Sequence, residues 1–503
     1  MSKSIEGSTP MHPADPRPGK GHVLMSASAL VLIAAGISRL VYFLVFASFQ
    51  DLKGDERHYF DGAVYVINLA TRIVAGLDTE QTVASILSRG WFMPGMSILL
   101  APVRLMTSSV AVARLYIGCL NFALLVGLVT LVRQQYGKRS ALVTASLLGF
   151  FPGMIIFSFT FWGGSLAGQL IVVVLLLLTT TKRSPLEGPH LWRRPLLVGI
   201  LVLVVVYLRP GYIVMLPIAA VILVLLHLHF ETSVSLAVRR STVAIALLTA
   251  VVLIGLAPWS YALSKDKGGL FLTTTTIELN TIIRFGRRED VNAVHPEIHL
   301  RVRAWDKWIT ERSEKTGESY ADILSNERRR ILSSVDFAMY RQVVRRQLRQ
   351  FYLRENDFFD RMVDRMVSSP HASTIGRSEA FSSTIRAVNS VAWRLLLLSG
   401  LMLLLAPLSC KRENWWAALN FKITFLALSI QPFVSIAHGR YYIALVPLLI
   451  VTVSVVTNGR PRAIPFLWQD RVQDWTLAEK VVGLLQVATS AIVVSVVFLI
   501  RVC

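Results

Sequence analysis

The sequence predicts an all-α polytopic membrane protein, a bundle of about eleven spanning helices that carries one large, mostly helical, water-exposed loop. Three observations predict it. Hydrophobic residues make up 53% of the 503, with a mean hydropathy of +0.54 that lies outside the soluble range. Apolar runs of roughly twenty residues, the length that crosses a hydrocarbon core, recur along the chain. The short loops between them carry basic pairs on alternate sides.

The spans fall near 24–48, 109–131, 140–158, 161–180, 196–208, 211–228, 242–262, 390–407, 415–431, 441–457 and 481–500. The fifth runs into Arg209-Pro210-Gly211, so it ends in a break rather than a clean exit. Residues 1–22 are polar and Pro-rich and lack the features of a cleavable leader, which predicts a disordered cytosolic tail. The remaining divisions are an N-terminal membrane module over 23–262, a helical loop domain over 263–389 and C-terminal spans over 390–503. Cys119, Cys410 and Cys503 form no disulfide framework.

A formal charge of +21 raises nucleic acid as a partner, but much of it belongs to the short loops. Arg133, Lys138 and Arg139; Lys182, Arg183, Arg193 and Arg194; Arg239 and Arg240; Lys411 and Arg412; and Arg460 and Arg462 all fall on the side of the N-terminus. The positive-inside rule assigns that side to the cytoplasm. No basic patch with interleaved aromatics remains, which excludes nucleic acid and leaves the lipid bilayer as the first partner.

That orientation leaves two long segments on the outer face, 50–108 and 263–389. In the first, Ala63, Val64, Val66, Ile67, Ala70, Ile73 and Val74 recur at helical spacing opposite Asp61, Asn68 and Arg72, the pattern of a helix lying in the interface. A second such helix is expected over Trp91 to Met106; an ordinary loop helix packed on the spans fits both equally well. In the second segment Ile298, Val302, Trp305 and Ile309, and then Ile331, Val335, Met339, Val343, Leu348 and Tyr352, repeat at three to four residues among many arginines. Those arginines read first as a solvated face, and also suit an anionic membrane surface or an acidic acceptor. No nucleotide loop, repeat or paired Cys/His metal spacing occurs.

The stretch richest in chemistry is Gly54-Asp55-Glu56-Arg57-His58-Tyr59-Phe60-Asp61-Gly62-Ala63, where a wet loop meets the bilayer. A carboxylate at the mouth of a low-dielectric cavity is suited to taking a proton from a hydroxyl nucleophile. Read alone, the pair also fits a charged loop that marks the end of a span. Arg209 and Arg440 are expected on the same face as Asp55, where each is either a snorkelling side chain or a bidentate phosphate ligand. His438 reads as a packed histidine. Lys53, Arg57 and His58 are further basic candidates that could equally neutralise Asp55.

This stretch resembles the first-loop signature of the GT-C membrane glycosyltransferases, an Asp-Glu pair followed by Tyr and a small-residue helix. The protein O-mannosyltransferases and lipid A aminoarabinose transferases are most similar in pattern. Trp91 to Pro102, Ala113-Arg114-Leu115 with Asn121, Tyr136-Gly137-Lys138-Arg139, Phe151-Pro152-Gly153 and His438-Gly439-Arg440-Tyr441-Tyr442 with Pro447 continue the resemblance. One departure is that many relatives carry an acidic residue at the outer start of the fourth span, where this chain has Phe159-Thr160-Phe161-Trp162-Gly163-Gly164-Ser165.

The resemblance implies a GT-C-like bundle that moves a sugar from a polyprenyl-phosphate donor to an acceptor hydroxyl on a cell-envelope glycan, lipid or protein. The reaction would take place at the outer (periplasmic) face of the inner membrane. Asp55 and Glu56 would be the catalytic pair, with Asp55 as the base. Arg440, Arg209, Lys53 and Arg57 would hold the donor phosphate, and His58, Tyr59 and Tyr441 the substrates. No cofactor is required on this reading, and nothing in the sequence supports a divalent metal. The rival reading is a polytopic transporter or flippase for a lipid-linked or anionic substrate, against which stand the lack of an internal repeat and the gathering of charge at one face.

Overall fold

The computed structural model describes residues 19–52, 54–88, 92–179, 190–231, 233–286, 302–353, 359–360, 362–364, 379–405, 415–429 and 442–458, and scattered positions over 484–495. Every regular element among them is helical. Four helices are long and apolar enough to cross a membrane: Ala27–Phe49, Val110–Phe150, Pro210–Leu228 and Val234–Lys267. Gly95–Met106, Gly164–Leu178, Ala417–Leu428 and Tyr442–Val455 are shorter apolar helices. The chain is a membrane protein.

In chain order the N-terminal half contains α1 (Gly19–Val45), α2 (Asp55–Val74), α3 (Glu80–Leu87), α4 (Gly95–Met106), α5 (Val110–Phe150), α6 (Pro152–Phe157), α7 (Gly164–Leu178), α8 (His190–Leu208), α9 (Met215–Phe230) and α10 (Val234–Lys267). A 3₁₀ segment, Pro210–Val214, joins α8 to α9 where the sequence predicts a break. The predicted spans at 196–208, 211–228 and 242–262 lie within α8, this junction with α9, and α10. Helix α3 is absent from the sequence reading, and α4 begins four residues after Trp91, which is outside the described residues. The predicted span at 481–500 lies almost wholly outside them too.

Helix α5 is 41 residues long and is not straight, because Gly137 interrupts it at φ +88°, ψ 179°. Its two legs run antiparallel. Phe122 packs on Gly36 of α1 while Gly149 packs on neighbouring Ala35. Asn121 likewise donates to the Ser158 carbonyl at 3.0 Å. Residues on either side of Gly137 thus meet at one level of α1, as the predicted pair of spans 109–131 and 140–158 with a basic turn between them requires. The second leg stops at Pro152, which has no N–H to offer the Leu148 carbonyl. Buried Arg39 of α1 supplies the missing donors, reaching the Leu148 carbonyl at 3.3 Å and that of Gly149 at 2.6 Å.

The remaining helices are α11 (Thr276–Phe285), α12 (Val302–Thr316), α13 (Tyr320–Ser333), α14 (Phe337–Leu353), α15 (Glu379–Leu405), α16 (Trp415–Leu428) and α17 (Tyr442–Asn458). Helix α17 is deeply enclosed, with Tyr442 through Val451 all buried against α5, α7 and α15. Close approach is allowed by Gly168 of α7, where a β-carbon would stand 2.7 Å from the Ala444 Cα. Helix α10 ends at Gly268 in the left-handed region, φ +69°, which no side chain adopts easily.

Helices α11 to α14 follow α10 and form a helical unit among the described residues of 276–353. Trp305, Ile309, Ile323, Leu324, Ile331, Leu348 and Tyr352 are its buried face. The apolar periodicity that runs from Ile331 to Tyr352 in the sequence is split in the structure. Helix α13 ends at Ser333, and Asp336 accepts from the Met339 amide at 2.7 Å to start α14. Tyr352 fastens α14 to the apolar helices: its carbonyl accepts from Trp393 Nε1 at 3.0 Å and its hydroxyl bonds Ser429 Oγ at 2.5 Å.

Candidate functional site

The Asp-Glu stretch opens helix α2. Gly54 precedes it at φ +57°, ψ −128° with open space around it, so the requirement there is conformational, not steric. The helix starts at Asp55 itself. Asp55 and Glu56 therefore occupy its first turn, where carboxylates meet the positive end of the helix dipole, and Asp61 lies in the second. Successive helical residues point about 100° apart, so the pair is divided. Glu56 is fully buried, Asp55 is half-buried and Arg57 is exposed.

Glu56 is held by three hydrogen bonds from two partners. Arg114 of α5 grips it in bidentate fashion, Nη1 to Oε1 at 2.9 Å and Nη2 to Oε2 at 3.2 Å. The Phe161 amide donates to Oε1 at 3.2 Å. Arg114 is also fully buried and donates to the Phe159 carbonyl at 2.9 Å. Two charges removed from water are tolerated because each is paired and further hydrogen-bonded. Aromatic rings extend the lock. The Arg114 guanidinium lies 5.1 Å from the Phe161 ring, Phe161 stacks on Phe60 at 5.9 Å and 5°, and Arg104 covers Phe60 at 4.1 Å.

The loop between α6 and α7 is thus the hub of this end of the bundle. One side of it binds Glu56 through Phe161. On the other, Gly163 turns in the left-handed region at φ +67°, and a β-carbon on Gly164 would lie 3.8 Å from Nη2 of half-buried Arg209. At the start of α7 this loop offers backbone groups and aromatic rings rather than an acidic side chain. A small polar network lies beneath: Gln169 donates to Asn121 Oδ1 at 3.1 Å, and Ser165 to the Phe157 carbonyl at 3.2 Å.

His58 and Tyr59 come together on another face of α2. Phe92 lies 5.7 Å from the His58 ring and 5.2 Å, edge-on, from that of Tyr59. With Gly62, Tyr65 and Ser97 they line a cavity of about 30 Å³, room for water-sized groups. Ser97 ties α4 to this wall by donating to the Tyr59 carbonyl at 3.0 Å. Arg57 faces outward and pairs with Asp61 at 3.8 Å, both well exposed, a contact worth about 1 kcal/mol or less.

The structure therefore brings Asp55, Glu56, His58, Tyr59 and Arg209 to one end of the bundle and turns Arg57 away from it. Lys53, Arg440 and Tyr441 lie outside the described residues. The sequence reading lacks the role of Arg114, whose one legible signal is a solitary charge near the start of an apolar helix. Among the described residues no group of three or more His, Cys, Asp or Glu side chains is arranged to hold a metal ion.

No protein family, no curated protein and no solved structure matches this chain. Chemically, the site divides labour between adjacent carboxylates: Glu56 is committed to a guanidinium, while Asp55 stays at the surface of the same helical turn.

Proposed function

We propose that the protein is a membrane glycosyltransferase of GT-C type that moves a sugar from a polyprenyl-phosphate donor to an acceptor hydroxyl. The observation that carries this reading is the division of the Asp-Glu pair. Glu56 anchors the first turn of α2 to Arg114 and the Phe159–Phe161 backbone, and this presents half-buried Asp55 at the same end as Arg209.

In this mechanism Asp55 takes the acceptor O–H proton as the acceptor oxygen attacks the anomeric carbon. The bond from that carbon to the phosphate oxygen breaks, and polyprenyl phosphate leaves with the electron pair. One displacement inverts the carbon and requires no enzyme nucleophile. Arg209, with Arg440 and Lys53, offsets negative charge developing on the leaving phosphate. About eleven spans, a cytoplasmic N-terminus and a reaction on the outer face of the plasma membrane complete the proposal. The acceptor is a glycan, lipid or protein of the envelope.

The test is transfer by the purified protein in detergent, with no second compartment. Native protein is expected to consume polyprenyl-phosphate sugar, which a transporter does not do. Asp55→Asn is expected to bind donor as the native protein does and to transfer about a hundred- to ten-thousand-fold more slowly, with Asp61→Asn near native. Transfer by Asp55→Asn within threefold of native overturns the assignment.

A further inference from the structure

Seven arginines, Arg328, Arg329 and Arg330 on α13 and Arg341, Arg345, Arg346 and Arg349 on α14, are exposed on the unit that follows α10. The sugar-transfer reading gives them no role. Helix α14 contains no acidic residue. Arg341, Arg345 and Arg349 stand four residues apart on one face, an arrangement of like charges that destabilises an isolated helix unless an anion neutralises it. The nearby acids are occupied: Glu327 pairs with Arg330 at 2.9 Å, and Asp336 caps α14 through the Met339 amide. Among the described residues no acid pairs with the four arginines of α14.

The face has concave relief. Arg341 and Arg345 line a cleft of about 530 Å³ together with Asp336, Met339 and Gln342. Beside it Phe337, which heads the same helical row as Arg341 and Arg345, is 78% exposed. Cationic groups beside a projecting aromatic are the chemistry of an interfacial helix, with rings entering the acyl boundary and guanidinium groups on the phosphates. The unit is also fastened to the apolar helices. Tyr352, one turn beyond Arg349, is bonded to Ser429 at the end of apolar α16 and to Trp393 of α15.

We infer that the arginine face of α14 docks on the anionic headgroup layer of the membrane, with Phe337 inserted and lipid phosphate in the Arg341–Arg345 cleft. The attraction is worth about fivefold in binding per arginine at the surface and is screened by salt.

The experiment is hydrogen–deuterium exchange of the full-length protein in nanodiscs of phosphatidylcholine alone or with 30% phosphatidylglycerol. Amides over 337–349 are expected to exchange at least tenfold more slowly with phosphatidylglycerol. The protection is expected to vanish in high salt and in the quadruple variant Arg341→Gln, Arg345→Gln, Arg346→Gln, Arg349→Gln. In that variant unchanged exchange in α5 and α17 certifies the fold, and Arg345→Gln alone is expected to lose part of the effect. Equal exchange in both lipids overturns the inference. So does protection that appears only when a soluble acidic polysaccharide is added to phosphatidylcholine discs, since the partner is then a glycan.

Discussion

Replacing Arg114 by methionine tests the lock at the start of α2. In the native protein Glu56 and Arg114 have side chains 0% and 1% exposed and meet through two bonds of 2.9 and 3.2 Å. Methionine fills much of the volume but strips the buried carboxylate of its bidentate partner, at a cost of about 3–5 kcal/mol. The Phe159 carbonyl also loses its donor, a further loss of about 1 kcal/mol or more. Against a total stability on the order of 5–15 kcal/mol, that is a large fraction. Glu56→Met with Arg114→Met removes both charges, leaving neutral groups such as the Phe161 amide and the Phe159 and Asp51 carbonyls short of partners. The double variant is therefore expected to be more stable than Arg114→Met alone, with a coupling energy of about 2 kcal/mol or more. Titration from dodecyl maltoside into dodecyl sulfate, followed by circular dichroism, reads all four corners of the cycle. An Arg114→Met protein within about 1 kcal/mol of native, or two strictly additive substitutions, refutes the buried ion pair.

Two further outcomes test the packing and the unit after α10. Gly168→Ala drives a β-carbon to 2.7 Å from the Cα and 2.8 Å from the carbonyl oxygen of Ala444, both backbone atoms that cannot swing aside, so a loss of about 1–3 kcal/mol is expected in the same titration. Asp306 accepts from the Tyr320 hydroxyl at 2.7 Å, and burial pushes its carboxyl above the usual carboxylate range. The folded state thus holds this proton to higher pH than the unfolded chain, so its contribution to stability is greatest below about pH 4 and falls as pH rises through the raised value. Asparagine keeps the acceptor without the titration, so Asp306→Asn is expected to flatten the pH dependence of melting and to be no less stable at pH 7. An unchanged slope counts against it.

Much of the bundle is legible in the sequence because spanning helices obey a length rule that neighbours do not alter. Predicted spans at 24–48, 211–228 and 242–262 fall in helices of crossing length, and the Gly137 turn is marked by Lys138 and Arg139 beside it. The chemistry is less legible. An Asp-Glu pair announces two carboxylates, yet which of them faces the interior depends on the residue at which α2 starts, and one position moves every side chain by about 100°. Partners distant in sequence are invisible for the same reason. Glu56 meets Arg114 and Phe161 only once the loop after α6 is folded, and no local pattern encodes that meeting. The break at Ser334 is equally hidden, since Ile331 to Tyr352 keep apolar spacing across it while Asp336 alone signals a new helix.

The contact of Arg39 with the end of α5 has an evolutionary consequence. Its guanidinium occupies the Leu148 carbonyl because Pro152 cannot, so the arginine and the proline form one device written at two distant positions. In a descendant that replaces Pro152 by a residue with an N–H, the helix can bond its own carbonyl, and Arg39 becomes a buried charge with less to hold. Selection then favours its loss, whereas losing Arg39 first strands two carbonyls in the bundle. The order of substitution is thereby constrained, and the two sites drift as a pair.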